Sequence, residues 1–277
     1  MRRAGWNPTR RSRTIGTVKQ GRGQDNRMVA PWPSTDGRHP EARVDDYTAV
    51  TRMVHGRPFP ILVDHVRKGN IHACTPDDIA FVLGLLDPAL FRPDHGLAGV
   101  ILWQPERKPQ RLESSWGRMR YHAHIGPIDG LTIYLDAHPV PTVLRWSRHL
   151  DPDDAQELAR LLTEADEVVS DRRGHTMTFH LAGIRRVQLF RTLLHEIGHL
   201  DHHLRLVVDG SPEGFEERTV AFHSRPARER EQAAHRYADT KAEELRSLGL
   251  LPFDRRFDAD ALRREGLRPE DFSLPEA

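Results

Sequence analysis

The sequence predicts an α+β fold in which a small, mostly antiparallel sheet packs on two long helices. Short strand-like runs separated by Pro, Gly and charged residues occupy the middle of the chain. A helix with apolar residues at i, i+3, i+4 and i+7 follows them. The next helix has a stripe of alanines, and small side chains allow close packing against the first helix.

The first predicted helix begins at Thr75, with Pro76 in the first helical position and Asp78 closing a capping box. It continues over residues 79–86. Strand-like runs at 99–104, 118–125 and 131–136 then predict an antiparallel meander. An amphipathic helix over 152–169 and a strand at 176–181 complete the predicted elements before the long helices.

The first long helix is predicted over residues 184–206. Its apolar face consists of Phe190, Leu193, Leu194, Ile197, Leu200 and Leu204. We expect 207–224 to be a loop with one short strand at 218–222. The second long helix is predicted to begin at a Ser224 cap, with Pro226 in its first turn, and to end at Gly249 and Pro252. Its inner stripe consists of Glu231, Ala234, Ala238, Ala242 and Leu245.

The two ends of the chain are polar. Residues 1–44 hold ten Lys or Arg against three Asp or Glu and show no apolar periodicity, so we predict a disordered basic N-terminal tail. The predicted domain spans residues 45–252. Residues 253–277 are predicted to form a short helix at 258–265 and a loose tail after Gly266. Because the net charge is +1, we expect no nucleic-acid partner except through the basic tail.

The chain has one cysteine, Cys74, which excludes an intrachain disulfide and a multi-cysteine metal site. The basic N-terminus is not followed by the apolar core of a secretory signal. No run approaches the roughly 18 apolar residues that a membrane helix needs. We therefore expect a cytoplasmic protein that does not associate with membranes.

The first long helix contains the motif HExxH, at His195, Glu196 and His199. A helix turns once in about 3.6 residues, so both imidazoles project from one face and can bind a single Zn²⁺. Glu196 lies about 100° around the helix, close enough to hold a water on the metal without being a ligand. The motif predicts a zinc site, although Mn²⁺ and Co²⁺ can occupy similar sites.

Two histidines leave a catalytic zinc site incomplete, because such a site takes three protein ligands and a water. Glu231, well beyond His199 in the sequence, lies on the alanine-striped helix that is predicted to pack against the first. Glu216 and Glu217, in the segment between the two long helices, remain alternatives. Glu229 and a further histidine also remain open.

Two segments, RTLLHEIGHL at residues 191–200 and EQAAHRYA at residues 231–238, resemble the signature of the ImmA/IrrE metallopeptidases. That signature is HE-hydrophobic-GH, followed on the next helix by E-x-x-A-[ND]-x-[FY]-A. Two features depart from the family. His235 replaces the Asn or Asp that steadies a ligand, and the predicted helix over 152–169 lengthens the junction before the active-site helix.

The resemblance implies a zincin-like fold of the gluzincin type, in which a small sheet lies over an active-site helix and a glutamate helix. It implies that His195, His199 and Glu231 bind the metal and that Glu196 is the general base of a zinc metalloendopeptidase. It also implies an intracellular protein or peptide substrate, such as a transcriptional regulator, although a fold-level likeness does not establish a substrate.

A peptidase also needs a hydrogen-bond donor for the oxyanion. Tyr237 is our candidate, and His202, His223 and His235 are alternatives. We expect the substrate to lie extended along an exposed sheet edge. The alternative function is a catalytically idle zincin-scaffold protein that regulates or binds a partner. The presence of Glu196 argues against it, because an idle scaffold does not need a general base.

Overall fold

The computed structural model describes residues 47–105, 116–150 and 152–274. The predicted basic tail therefore lies outside the described residues. The described strands are β1 (Tyr47–Val54), β2 (Arg57–Asp64), β3 (Asn70–Ile71), β4 (Leu97–Trp103), β5 (Gly117–Ile125), β6 (Ile128–Asp136), β7 (His138–Pro139), β8 (Thr142–Ser147), β9 (Glu167–Ser170) and β10 (Gly174–Phe179). The described helices are α1 (Pro76–Gly84), α2 (Pro152–Glu164), α3 (Leu181–Val187), α4 (Leu193–His203), α5 (Phe215–Ser224), α6 (Ala227–Ser247) and α7 (Ala259–Arg264).

The α+β fold is confirmed, and its main sheet has five strands in the order β1-β2-β4-β6-β5. The predicted antiparallel meander is wrong. The β1–β2 and β5–β6 pairs are antiparallel, but β4 runs parallel to both β2 and β6. The sheet is therefore mixed. The reason lies in β4, whose seven residues are nearly all apolar and buried, as is typical of a central strand with parallel neighbours.

A three-stranded sheet (β8-β10-β9) and a two-stranded sheet (β3-β7) accompany the main sheet. The predicted amphipathic helix ends at Glu164, earlier than expected, because β9 occupies the residues predicted for its last turn. The capping box at α1 is confirmed: the Thr75 hydroxyl accepts the Asp78 N–H, and the Asp78 carboxylate accepts the Thr75 N–H.

The first long helix is confirmed as a continuous helical run over residues 181–208. It consists of α3, a π-helical turn at Gln188–Thr192, α4 and a second π-helical turn at Leu204–Val208. The predicted apolar face is buried in full. Such π turns are rare and occur often at functional sites, and here they bracket the HExxH segment on both sides.

The segment expected to be a loop after residue 207 forms α5 instead of a short strand. Ser224 is the last residue of α5 and does not cap α6, which begins at Ala227 without a side-chain cap. The end of α6 is as predicted. Gly249 adopts a φ of +69°, a conformation that favours glycine, just beyond the last helical turn.

The segment after Gly266 is not loose. Phe272 is fully buried and Leu267 nearly so, and both belong to the main core. The loop between α6 and α7 is held by Asp78. This buried carboxylate forms an ion pair with the Arg185 guanidinium at 2.9 Å and accepts the backbone N–H of Arg256 at 3.0 Å. The described residues beyond 252 therefore share the core of the rest of the domain.

Helices α4 and α6 cross in close contact at Gly198. A Cβ atom added to this glycine would lie 2.8 Å from both Cα and the carbonyl oxygen of Ala234, and 3.0 Å from Cβ of Tyr237. The alanine stripe of α6 is buried against this surface, as predicted. The glycine and the alanines together bring the two helix backbones close enough for side chains of both helices to share one site.

We expect Gly198→Ala to lower the free energy of unfolding by about 1–3 kcal/mol, because the added methyl group must displace backbone atoms of α6. Helix propensity alone predicts the opposite sign, since alanine is favoured over glycine by about 1 kcal/mol. Gly84→Ala, at the end of α1, is the matched control, because no atom lies within 4 Å of its added Cβ. Urea unfolding of both variants measures the difference, and equal stabilities would contradict the steric argument.

Candidate metal centre

His195, Glu196 and His199 lie on α4, and Glu231 lies on α6, across the Gly198 contact. The Nε2 atom of His195 is 3.2 Å from Oε2 of Glu231, and Nε2 of His199 is 3.6 Å from Oε1 of the same carboxylate. One ligand atom from each of the three side chains can be chosen so that all lie within 4.8 Å of one another. Two helices thus bring the predicted His–His–Glu set to one point.

Of the carboxylates considered as a third ligand, Glu231 is the one that lies beside both histidines. Within the described ranges, the cluster of His195, His199 and Glu231 is the single group of three or more His, Cys, Asp or Glu side chains with metal-binding spacing. Glu216, Glu217 and Glu229 are not part of it. Glu231 lies at the open side of the cluster, with 54% of its side chain exposed, whereas the two histidines are mostly buried.

The two glutamates of the site differ in their surroundings. Hydrogen bonds with His195 and His199 hold the pKa of Glu231 well below its usual range. Glu196 is 7% exposed, and burial raises its pKa despite the neighbouring histidines. The backbone N–H of Met119 in β5 donates a hydrogen bond to the Glu196 carboxylate, which fixes it between α4 and the sheet.

The cluster opens into a cleft of about 810 Å³. Strand β5 forms one wall, α4 the floor, and α2 and α6 the other side. Among the described strands of the main sheet, β5 lies at the edge beside this cleft. Gly117 allows the strand to approach α4, because an added Cβ would lie 2.8 Å from the Thr192 methyl and 2.6 Å from the Tyr134 carbonyl oxygen. An extended chain could lie along this edge and pass the metal cluster.

Tyr237, the predicted oxyanion donor, is not brought to the site. It does not line the cleft; it is partly buried against the main core, and its Cβ takes part in the contact at Gly198. Burial raises its pKa, and the charged groups that act on it most, Asp201 and Asp87, lie outside the cleft. Helix geometry accounts for this placement, because residue 237 projects from α6 about 120° away from residue 231.

Of the alternative donors, His235 lines the cleft, and its ring centroid lies 4.4 Å from that of His195. His202 and His223 do not line the cleft and pack around Phe222. Tyr121 of β5, which no sequence motif singled out, also lines the cleft and packs against His203 and His223. Burial raises the pKa of Tyr121 to about 12, so its hydroxyl remains a hydrogen-bond donor at neutral pH.

The geometry therefore defines an α+β protein with a His–His–Glu cluster, a buried glutamate beside it and a cleft bordered by a strand edge. Comparison of the chain with protein-family models, with curated proteins and with solved structures found no match. No helix among the described residues has the length and apolar character to cross a lipid bilayer.

Proposed function

We propose that this chain is a zinc-dependent metalloendopeptidase of the zincin type, similar to the ImmA/IrrE metallopeptidases. One observation carries the proposal. The three side chains that the motif and its resemblance name as ligands come from two separate helices and converge on a single point. A pair of buried histidines serving only the core would not need an exposed carboxylate between them.

The residues fit a zinc ion. Two imidazoles and one carboxylate form a ligand set that catalytic zinc uses, with a remaining position open to water. The Nδ1 atom of His195 is buried and has no hydrogen-bond partner in the described structure, so Nε2 is the nitrogen that faces the other ligands. When bound, zinc supplies Lewis acidity and makes water a nucleophile near neutral pH.

The chain's own residues supply the proton transfers. In this proposal Glu196 accepts a proton from the attacking water as a general base and then delivers it to the leaving amine as a general acid. The Met119 N–H holds this carboxylate in place. The β5 edge would offer backbone groups to an extended substrate, and Tyr121 and His235, which line the cleft, are the candidate donors to the oxyanion.

The proposed substrate is an intracellular protein or peptide partner, such as a transcriptional regulator. The experiment is to incubate the full-length protein, loaded with stoichiometric Zn²⁺, with a mixed library of unstructured peptides and to detect new termini by mass spectrometry. We expect cleavage that a zinc chelator abolishes and that added Zn²⁺, but not Mg²⁺, restores. Binding of peptides without any turnover would favour the idle-scaffold alternative.

A further inference from the structure

The charges that line the cleft are mostly compensated. Arg160 forms an ion pair with Asp239 at 3.2 Å, and Arg191 forms one with Glu157. These pairs join α2 to α6 and to the helical run that contains α4. Cations held in this way are already committed to carboxylates of the chain itself, so they contribute little net attraction for an acidic ligand.

Arg230 is different. It lines the same cleft, directly before Glu231 in α6, and forms no ion pair or hydrogen bond with any described residue. Its Nε atom is buried without an acceptor, although the residue as a whole is only half-buried. Burying a donor of a charged group without a partner is costly, so the Nε–H of Arg230 would gain from an acceptor that a ligand in the cleft supplies.

The surroundings of Arg230 show which way it faces. Its positive charge acts on Tyr121 of β5, the strand that forms the opposite wall of the cleft from α6. Tyr121 lines the cleft as well, and the charges of Glu196 and Glu231 also act on it. A guanidinium and a phenolic hydroxyl therefore line the same cleft as the metal cluster. Both are hydrogen-bond donors, and a guanidinium binds a carboxylate through two parallel hydrogen bonds.

We propose that Arg230, assisted by Tyr121, binds a carboxylate of the peptide substrate and so directs cleavage to bonds next to an acidic residue. The inference rests on the proposed peptidase function and names the substrate class of the same site. Arg230 is a specificity-determining residue in this view. A cleft whose buried donor lacks a partner rejects an uncharged analogue, because that analogue leaves the donor unsatisfied.

The carboxylate could belong to an Asp or Glu side chain or to a free C-terminus. The test uses fluorogenic peptides that are identical except for Glu or Gln at one position near the cleaved bond, each made with a free and with an amidated C-terminus. We expect the zinc-loaded full-length protein to cleave the Glu peptide with a kcat/KM at least about tenfold higher than that of the Gln peptide. The preference should persist after amidation. If the Glu and Gln peptides are instead cleaved equally and amidation lowers the kcat/KM of both, the C-terminal carboxylate is the group that binds.

Two variants separate this role from a general charge effect. In Arg230→Gln the ratio of kcat/KM for Glu over Gln peptides should fall to about one, and Arg230→Glu should favour a Lys peptide instead. The matched control is Arg236→Gln, which removes the same charge from an exposed position of α6 outside the cleft. Its ratio should equal that of the unmodified protein. Zinc content and melting temperature verify that each variant is folded.

The outcomes distinguish this inference from the proposed function. Chelator-sensitive cleavage with neither a preference for Glu peptides nor an effect of amidation, or with a preference that survives Arg230→Gln, would overturn the carboxylate site and leave the peptidase intact. If no peptide is cleaved, the peptidase proposal fails, and the carboxylate site is then tested by binding. Fluorescence anisotropy of the same labelled peptides should show tighter binding of the Glu peptide, and equal affinities would overturn it.

Discussion

Glu196→Gln is expected to lower peptidase activity by about 10²–10⁴-fold while the protein keeps its full complement of zinc. Glutamine has the same shape and retains an oxygen to accept the Met119 N–H, so the position of the side chain is preserved. It cannot accept a proton from water at neutral pH, however. The loss is therefore confined to the proton transfers. Single-turnover cleavage and metal analysis of the same preparation measure the two properties together.

This substitution also tests the idle-scaffold alternative. A binding protein with no turnover has no use for an ionisable group at a position that is 7% exposed, and burying a carboxylate there is unfavourable. We therefore expect Glu196→Gln to leave the stability of the zinc-free protein equal or higher, as is common when a functional group opposes stability. A variant that cleaves peptides as fast as the unmodified protein would show that Glu196 is not the general base.

The parts of the structure that follow from local sequence could be predicted. The Thr75 capping box and the HExxH face each depend on residues within one or two helical turns. The contact between α4 and α6 could also be anticipated, because a stripe of small residues on one helix needs a close partner. That contact is what allowed Glu231 to be proposed as a ligand although it lies far from the HExxH motif in the sequence.

The parts of the structure that depend on pairing between strands far apart in the sequence could not be predicted. Whether β4 pairs with β5 or with β6 depends on contacts between residues that are far apart in the sequence. No short-range pattern encodes that choice. Helix α5 has Phe222 as its one buried residue, so it lacks the apolar period that identifies a helix. Tyr121 reaches the cleft only because β5 folds back as the edge strand, which the predicted meander did not include.

The position of Tyr237 outside the described cleft could have been anticipated from the sequence. On a helix, residues 231, 234, 235 and 238 share one face, and residue 237 lies away from it. The same geometry favours His235, whose ring does lie beside that of His195. A residue that follows a ligand on a helix is therefore better judged by its angular position than by its chemistry alone.

Glu231→Ala is expected to weaken zinc binding by at least about 100-fold, because even partners of ligands typically contribute 10–100-fold to metal affinity and Glu231 is proposed as a ligand itself. The stability of the zinc-free protein should change little, since the side chain is 54% exposed. Competition with a chromophoric chelator measures the affinity. Thermal unfolding gives a second measure: zinc at a concentration of about 100 Kd should stabilise the unmodified protein by about 2.7 kcal/mol, and the variant far less.

Glu216→Ala and Glu229→Ala are the matched controls, because both glutamates are exposed alternatives that the structure leaves outside the cluster. Each should bind zinc as the unmodified protein does. If Glu216→Ala loses zinc while Glu231→Ala retains it, the metal binds through α5, and the close contact of α4 and α6 at Gly198 does not serve the metal. Loss in Glu231→Ala alone places the third ligand on α6, where Gly198 and Ala234 hold the carboxylate within reach of both histidines.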